Sequence, residues 1–309
     1  MPDPSSSFEP QEILAAQRTI VPMVTTFEFP DLEPIGTAFI IYTEGKKAIA
    51  LTAAHNLRAI DSLDHPYETC HPTMPQEFRA VVRSIDFRTV TPRVLFPHQD
   101  GGIFTPRITR GYVLLPADIA VLTLFIPNTL PDDLVFSEKL VIDSSPPRAG
   151  TPIKIVGYNN MSANPQQDAT GTRFTGRFDH REGEIIEVFR TRGPRNKPWP
   201  CFQCNTPIDS GMSGSPLLDT SGDHDVAVGI ASSDSSLVPS GAASGADAFA
   251  SILWPAMMIR LEHESLGGMN DPTLIDLVRQ GLITDKGRAH EHIQVSLATT
   301  SERRLMRWV

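Results

Sequence analysis

Only three cysteines, Cys70, Cys201 and Cys204, occur in the 309 residues. So few in so long a chain exclude the disulfide framework that holds small secreted domains together. Zinc chemistry is not supported either. Cys201-Phe202-Gln203-Cys204 offers one pair, and Cys70-His71 is the only other candidate for a four-ligand set. Reduced cysteines near the start of a strand are the simpler reading, and neither metal nor cofactor is expected. Positive charge is also short: 27 Lys and Arg face 36 Asp and Glu, a net charge of −9. That argues against a nucleic-acid surface as the main function, although a local basic patch stays open. No apolar run is long enough to span a bilayer. The longest, Phe249 to Ile259, is interrupted by Pro255. Residues 1–7 are acidic and polar, without the basic start and apolar core of a signal peptide. With the missing cysteines, this points to the cytoplasm.

Turn formers, by contrast, are plentiful. With 27 prolines, 21 glycines and 40% apolar residues, the chain has enough material for a core cut into short elements. Pro10 to Ala16 suits a short helix. From Thr19 the pattern is strand-like: Ile20-Val21, Gly36 to Tyr42 and Ala48 to Thr52, with a hairpin turn at Glu44 to Lys47. Phe78 to Ile85 and Ile119 to Phe125 continue the series. Residues 126–150, with five prolines, read as a linker. Strands resume at Pro152 to Tyr158, Gly183 to Phe189, Val226 to Ala231 and about Ala248 to Leu253, with polar loops expected over 159–182 and 190–200. Many short strands and little helix predict an all-β sandwich or barrel.

Beyond the strands, Pro255 is expected to open a helix carrying Met257, Met258 and Leu261 on one face. A second helix is signalled by Asp271 as N-cap, Pro272 at the first position and Gly281 past the end. Ile293, Val295 and Leu297 alternate as in a strand. Helix plus strand is a faint hint of a winged-helix element, but one helix is too few.

Three segments carry chemistry. Gly211-Met212-Ser213-Gly214-Ser215-Pro216 places a serine on a glycine-flanked turn that can expose its hydroxyl. Leu51-Thr52-Ala53-Ala54-His55 and Ala117-Asp118-Ile119-Ala120 can complete it. A serine hydroxyl is a weak nucleophile near neutral pH and needs a base to take its proton as it attacks. Imidazole, with an unperturbed pKa of about 6.5, can accept that proton and return it. His55 is therefore the candidate base, Asp118 its orienting partner and Ser213 the nucleophile, with the N–H groups of Gly211 and Ser213 as oxyanion donors. Each segment has a bland reading alone, as a packed histidine, a strand cap or a turn. Three ordered matches, each following a strand, are hard to obtain by chance, and the order His–Asp–Ser differs from the subtilisin and α/β-hydrolase orders.

These segments resemble the trypsin-like (chymotrypsin-fold) serine proteases. Gly211-Met212-Ser213-Gly214-Ser215-Pro216 is most similar to the bacterial glutamyl-endopeptidase and HtrA-like branch. Over roughly residues 20–266, the resemblance implies two six-stranded antiparallel Greek-key β-barrels with the active site between them and a C-terminal helix. Residues 1–19 would then be an N-terminal segment with a short helix. Residues 20–130 would form the first barrel with His55 and Asp118, and residues 131–266 the second with Ser213 and the helix. Residues 267–309 remain as a C-terminal extension.

The chain departs from the family in two respects. Digestive relatives carry aspartate just before the serine, paired with a freshly cleaved N-terminus; here Met212 stands there, which leaves open how the oxyanion turn is held and admits a switchable hole. The pocket wall follows Gly229-Ile230-Ala231-Ser232, and Ala231 replaces the histidine of glutamyl-specific relatives. Pro207 takes the pocket-floor position that is aspartate in trypsins. Ser232 and Asp247 are the candidate substrate-binding residues. A buried Asp247 would favour a basic side chain before the cleaved bond, whereas a solvated Asp247 in the 240–248 loop would be irrelevant. The expected partner is a protein or peptide substrate, with no nucleic acid and no membrane; the sequence leaves oligomeric state open. The rival reading is a catalytically silent protease fold used as a binding or regulatory module. An α/β-hydrolase esterase is weaker, since Ser215 breaks its Gly-x-Ser-x-Gly elbow.

Overall fold

A computed structural model describes residues 16–26, 32–57, 78–85, 91–97, 103–115, 117–131, 133–165, 172–190, 193–194, 197, 199–233, 248–297 and 304–308. Asp247, Cys70 and the helix expected from Pro10 lie outside this set, apart from Ala16 at that helix's end.

The first barrel half contains β1 (Ile20–Thr26), β2 (Leu32–Glu44), β3 (Lys47–Ala53), β4 (Phe78–Ile85), β5 (Thr91–Val94), β6 (Phe96–Pro97), β7 (Ile103–Phe104), β8 (Arg107–Leu115) and β9 (Ile119–Phe125). Six of these strands close in the order β1-β2-β3-β9-β8-β5, while β4 adds to β8 outside the ring and β6–β7 form a separate two-residue ladder. The second half contains β10 (Pro152–Pro165), β11 (Thr172–Phe189), β12 (Cys201–Cys204), β13 (Pro216–Asp219), β14 (Val226–Ser233) and β15 (Ala248–Ile252). It closes as β10-β11-β12-β15-β14-β13. Both rings therefore run first, second, third, sixth, fifth, fourth along the chain. The fold is two closed six-stranded antiparallel barrels.

Period-2 geometry explains why Ala38 to Tyr42 is apolar without alternation. Ala38 and Ile40 join Val21, Ala50, Val113 and Leu122 in the interior of the first barrel. Phe39 and Ile41 face outward, into a second cluster shared with the second barrel and the C-terminal segment. Both faces are buried, so both must be apolar.

The polar stretch 159–182 is not the expected surface loop. Much of it extends β10 and β11 into a long hairpin, with Ser162 and Thr175 hydroxyls bonded across it at 2.7 Å. Strands exposed on both faces can be polar throughout, which erases the hydrophobic signal. The helix expected from Pro255 is one short 3-10 turn, Trp254–Met258, ended by extended Ile259.

The C-terminal segment returns to the first barrel. A small ladder joins β16 (Ser265–Leu266) to β17 (Met269–Asn270), and α1 (Leu274–Arg279) follows. Its N-cap is Thr273, not Asp271: Thr273 and Asp276 form a reciprocal capping box. Asp271 instead accepts the His263 N–H at 2.6 Å from a left-handed backbone. Gly281, at φ +70°, sits just past the helix as expected. A hairpin of β18 (Ile293–Leu297) and β19 (Arg304–Trp308) then pairs through β19 with β4, so the tail extends the first sheet and is no winged helix. Among the described residues, no helix is long and apolar enough to cross a membrane.

Candidate active site

His55 lies on the 3-10 turn Ala54–Leu57 that directly follows β3. Asp118 occupies the tight turn between β8 and β9 in a left-handed conformation, φ +52°. Asparagine and aspartate tolerate that region better than most residues, and it lets the chain reverse between Leu115 and Ile119. Pairing of β3 with β9 brings the two turns together. The Asp118 carbonyl accepts the Ala54 N–H at 3.1 Å, and one carboxylate oxygen accepts the His55 N–H at 2.9 Å. The other lies 2.9 Å from His55 Nδ1.

Asp118 is buried, and Ser232 Oγ donates to the same Oδ2. Burial pushes this carboxyl up, but the His55 ring, the Ser232 hydroxyl and the Lys197 charge outweigh it and hold it below the ordinary carboxylate value. It is an ionised acceptor. In the neutral tautomer that donates from Nδ1 to this carboxylate, Nε2 keeps its lone pair.

Ser213 comes from the turn that precedes β13. Gly211 at φ +95° and Gly214 at φ +87° bracket it, in a backbone region that side chains disfavour. At Gly214 a β-carbon would also come within 2.1 Å of the Thr37 carbonyl. The turn is bonded to both halves: Gly214 N–H donates to Ala231 O at 2.8 Å, and Thr37 N–H donates to Ser213 O at 2.8 Å. Asn56, next to His55, donates from Nδ2 to the same Ser213 carbonyl at 3.0 Å. Among the described residues, no hydrogen bond joins Ser213 Oγ to His55 Nε2, and the Gly211 and Ser213 N–H groups have no protein acceptor.

Of the expected substrate-binding residues, Ser232 has its side chain buried against Asp118, and Asp247 lies outside the described residues. Pro207 is exposed, while Ala231 and Ala248 are buried. Sequence reasoning missed several participants. Asp209 accepts from Arg181 at 2.7 Å, and its carbonyl takes the Met212 N–H at 2.9 Å, tying the serine turn to the β10–β11 hairpin. Thr37 and Asn56 were also missed. Their only signal is polarity where neighbours are apolar, and a single sequence gives that no address.

Cys201 and Cys204 are buried. Burial pushes the Cys201 thiol up to about 12, which leaves it inert. Among the described residues, no three His, Cys, Asp or Glu side chains are grouped to hold a metal. His224 sits in the exposed turn between β13 and β14.

Two barrels of the same strand order, with a histidine–aspartate pair on one and a glycine-bracketed serine on the other, define the class of two-barrel serine hydrolases. The trypsin-like peptidase domain family matches residues 36–230, more than half of the chain, and the protein belongs to that family. It is a serine peptidase, a hydrolase whose substrates are peptides or proteins. A comparison with curated proteins found no match. Among solved structures, the protein is similar to Deg5 at 16% identity and TM-score 0.40, over 73% of this chain and 87% of that one. It is also similar to the HtrA-type protease AlgW with a decapeptide, at 16% identity and TM-score 0.46, over 96% of each chain. A serine-to-alanine variant of AlgW with a decapeptide matches at 17% identity and TM-score 0.44, over 93% of this chain and 68% of that one.

Proposed function

We propose that the protein is a serine endopeptidase working through His55, Asp118 and Ser213 by way of an acyl-enzyme. The observation that carries this reading is the paired His55 and Asp118 beside a turn whose Gly211 and Ser213 amides have no acceptor among the described residues. Ser213 Oγ attacks the peptide carbonyl as His55 Nε2 takes its proton. Asp118 keeps the ring oriented and stabilises the imidazolium. The carbonyl oxygen becomes an oxyanion held by the Gly211 and Ser213 N–H groups. Collapse breaks the C–N bond, and the amine leaves with the proton from His55. Water, deprotonated by His55, then hydrolyses the ester and restores Ser213. The absence of a Ser213–His55 hydrogen bond fits this scheme, because such bonds tighten when substrate is in place.

A basic residue before the cleaved bond is the proposed preference, resting on Asp247 alone. Three cysteines in 309 residues support a reducing compartment, the cytoplasm. A fluorophosphonate should label the wild-type protein, and Ser213→Ala should lose both labelling and hydrolysis. Ser213→Ala retaining the wild-type cleavage rate would overturn the assignment. Cleavage-site profiling on a denatured peptide library tests the preference, which fails if basic residues are not enriched.

A further inference from the structure

We propose that Thr37 and Asn56, both from the first barrel, are positioning residues that set the oxyanion turn of the second by gripping the carbonyls on either side of Met212. Met212 is fully buried in the apolar core, so it cannot hold the turn by a charge. The polar contacts come from across the cleft. Thr37 Oγ donates to Gly211 O at 2.9 Å and accepts the Tyr158 N–H at 3.2 Å. Ser213 O takes two donors, the Thr37 N–H at 2.8 Å and Asn56 Nδ2 at 3.0 Å. Thr52 links the pair: its hydroxyl accepts from Asn56 Nδ2 at 2.9 Å and donates to Thr37 O at 2.7 Å. Thr37 and Thr52 are fully buried, and Asn56 is nearly so.

The consequence follows from peptide planarity, because a carbonyl and the amide after it point in opposite directions. With Gly211 O held by Thr37, the Met212 N–H is turned to Asp209 O, at 2.9 Å. With Ser213 O held by Thr37 and Asn56, the Gly214 N–H is turned to Ala231 O. Between them Met212 O accepts the Ser215 N–H at 2.9 Å, which leaves the Ser213 N–H facing away from these partners. Three successive peptides are thereby fixed. A flip that turned the Ser213 N–H out of the hole would carry the Met212 carbonyl off the Ser215 N–H and could not proceed without displacing the flanking peptides that Thr37 and Asn56 hold, which is costly. Gly36 makes room for the grip, since a β-carbon there would lie 2.3 Å from Asn56 Nδ2 and 2.7 Å from Ser213 O. As a statement about catalysis this rests on the acyl-transfer reading above; as a statement about backbone conformation it does not.

The test compares Thr37→Val, Thr37→Ser and Asn56→Ala with wild type in the full chain, each checked for folding by circular dichroism. In Thr37→Val the Met212 and Ser215 amides should exchange hydrogen about tenfold faster, and Thr37→Ser should restore protection. Peptide hydrolysis by Thr37→Val should show kcat lowered about 10- to 100-fold, with KM within about threefold, because only the transition state uses the hole. Asn56→Ala leaves one donor on Ser213 O and should shift both readouts the same way by less. It also serves if Thr37→Val does not fold. A folded Thr37→Val with wild-type exchange rates, or with wild-type kcat in an active enzyme, overturns the proposal. If the amides respond as expected but wild type neither hydrolyses peptides nor reacts with fluorophosphonate, the grip stands and the peptidase reading falls.

Discussion

Burial of Asp118 works against its charge, while His55, Ser232 and Lys197 work for it, and the second group wins. Because the folded carboxyl titrates below its unfolded value of about 3.9, the unfolded chain binds the proton more readily as pH falls. The stability it contributes is therefore complete above about pH 4 and is lost as pH drops through the folded value. Urea unfolding at about pH 6 and about pH 3 should show Asp118→Asn losing less stability than wild type over that interval. The same substitution should cut kcat by about 10,000-fold, because an amide favours the wrong imidazole tautomer. Near-normal turnover in Asp118→Asn would exclude the role assigned to it. Cys201 has the opposite balance, since burial dominates and its thiol is pushed to about 12. Iodoacetamide at about pH 8 should leave Cys201 unmodified in folded protein and alkylate it after unfolding, as mass spectrometry would show.

Strands and turns differ in how openly the sequence announces them. β4 and β9 coincide with the runs Phe78 to Ile85 and Ile119 to Phe125, because β-branched and apolar residues end there at turn formers. The β10–β11 hairpin was hidden: Asn159, Asp179 and Arg181 look like loop residues, yet they bond to one another on a paired ribbon. Gly281 marks the end of helix α1 in the sequence, but the start falls two residues later than Asp271 and Pro272 suggest, with Pro272 ahead of the cap and not in the first helical position. Asp271 and Thr273 are both good caps, and only the reciprocal bonds to Asp276 distinguish them. Thr273→Ala should lower stability by about 1 kcal/mol, measured by chemical denaturation, whereas an unchanged midpoint would show that tertiary packing alone holds the helix.

The C-terminal segment binds the whole protein together. Tyr112 OH donates to Glu262 O at 2.8 Å, Lys47 Nζ to Ser265 O at 2.7 Å, and β19 pairs with β4. Asp285 is the densest joint, accepting Ser144 N–H and Oγ from the inter-barrel linker and the N–H groups of Gly287 and Ala289. Asp285→Ala strands several donors and should cost about 1–3 kcal/mol, read as a lower thermal midpoint. Should the midpoint not move, the segment is an appendage and not a strap.

Local chemistry sufficed for the parts of this protein that depend on neighbours in the chain: strand-forming runs, glycine-bracketed Ser213, and the order of His55, Asp118 and Ser213. What crosses between distant strands had no linear signature. Thr37 reaches Gly211 over 174 positions and Asn56 reaches Ser213 over 157, and Ser232 turns to Asp118 and not to a pocket. Such bonds depend on how two closed barrels meet. A threonine or asparagine looks the same in sequence whether it faces water or grips a carbonyl, and packing alone makes the difference.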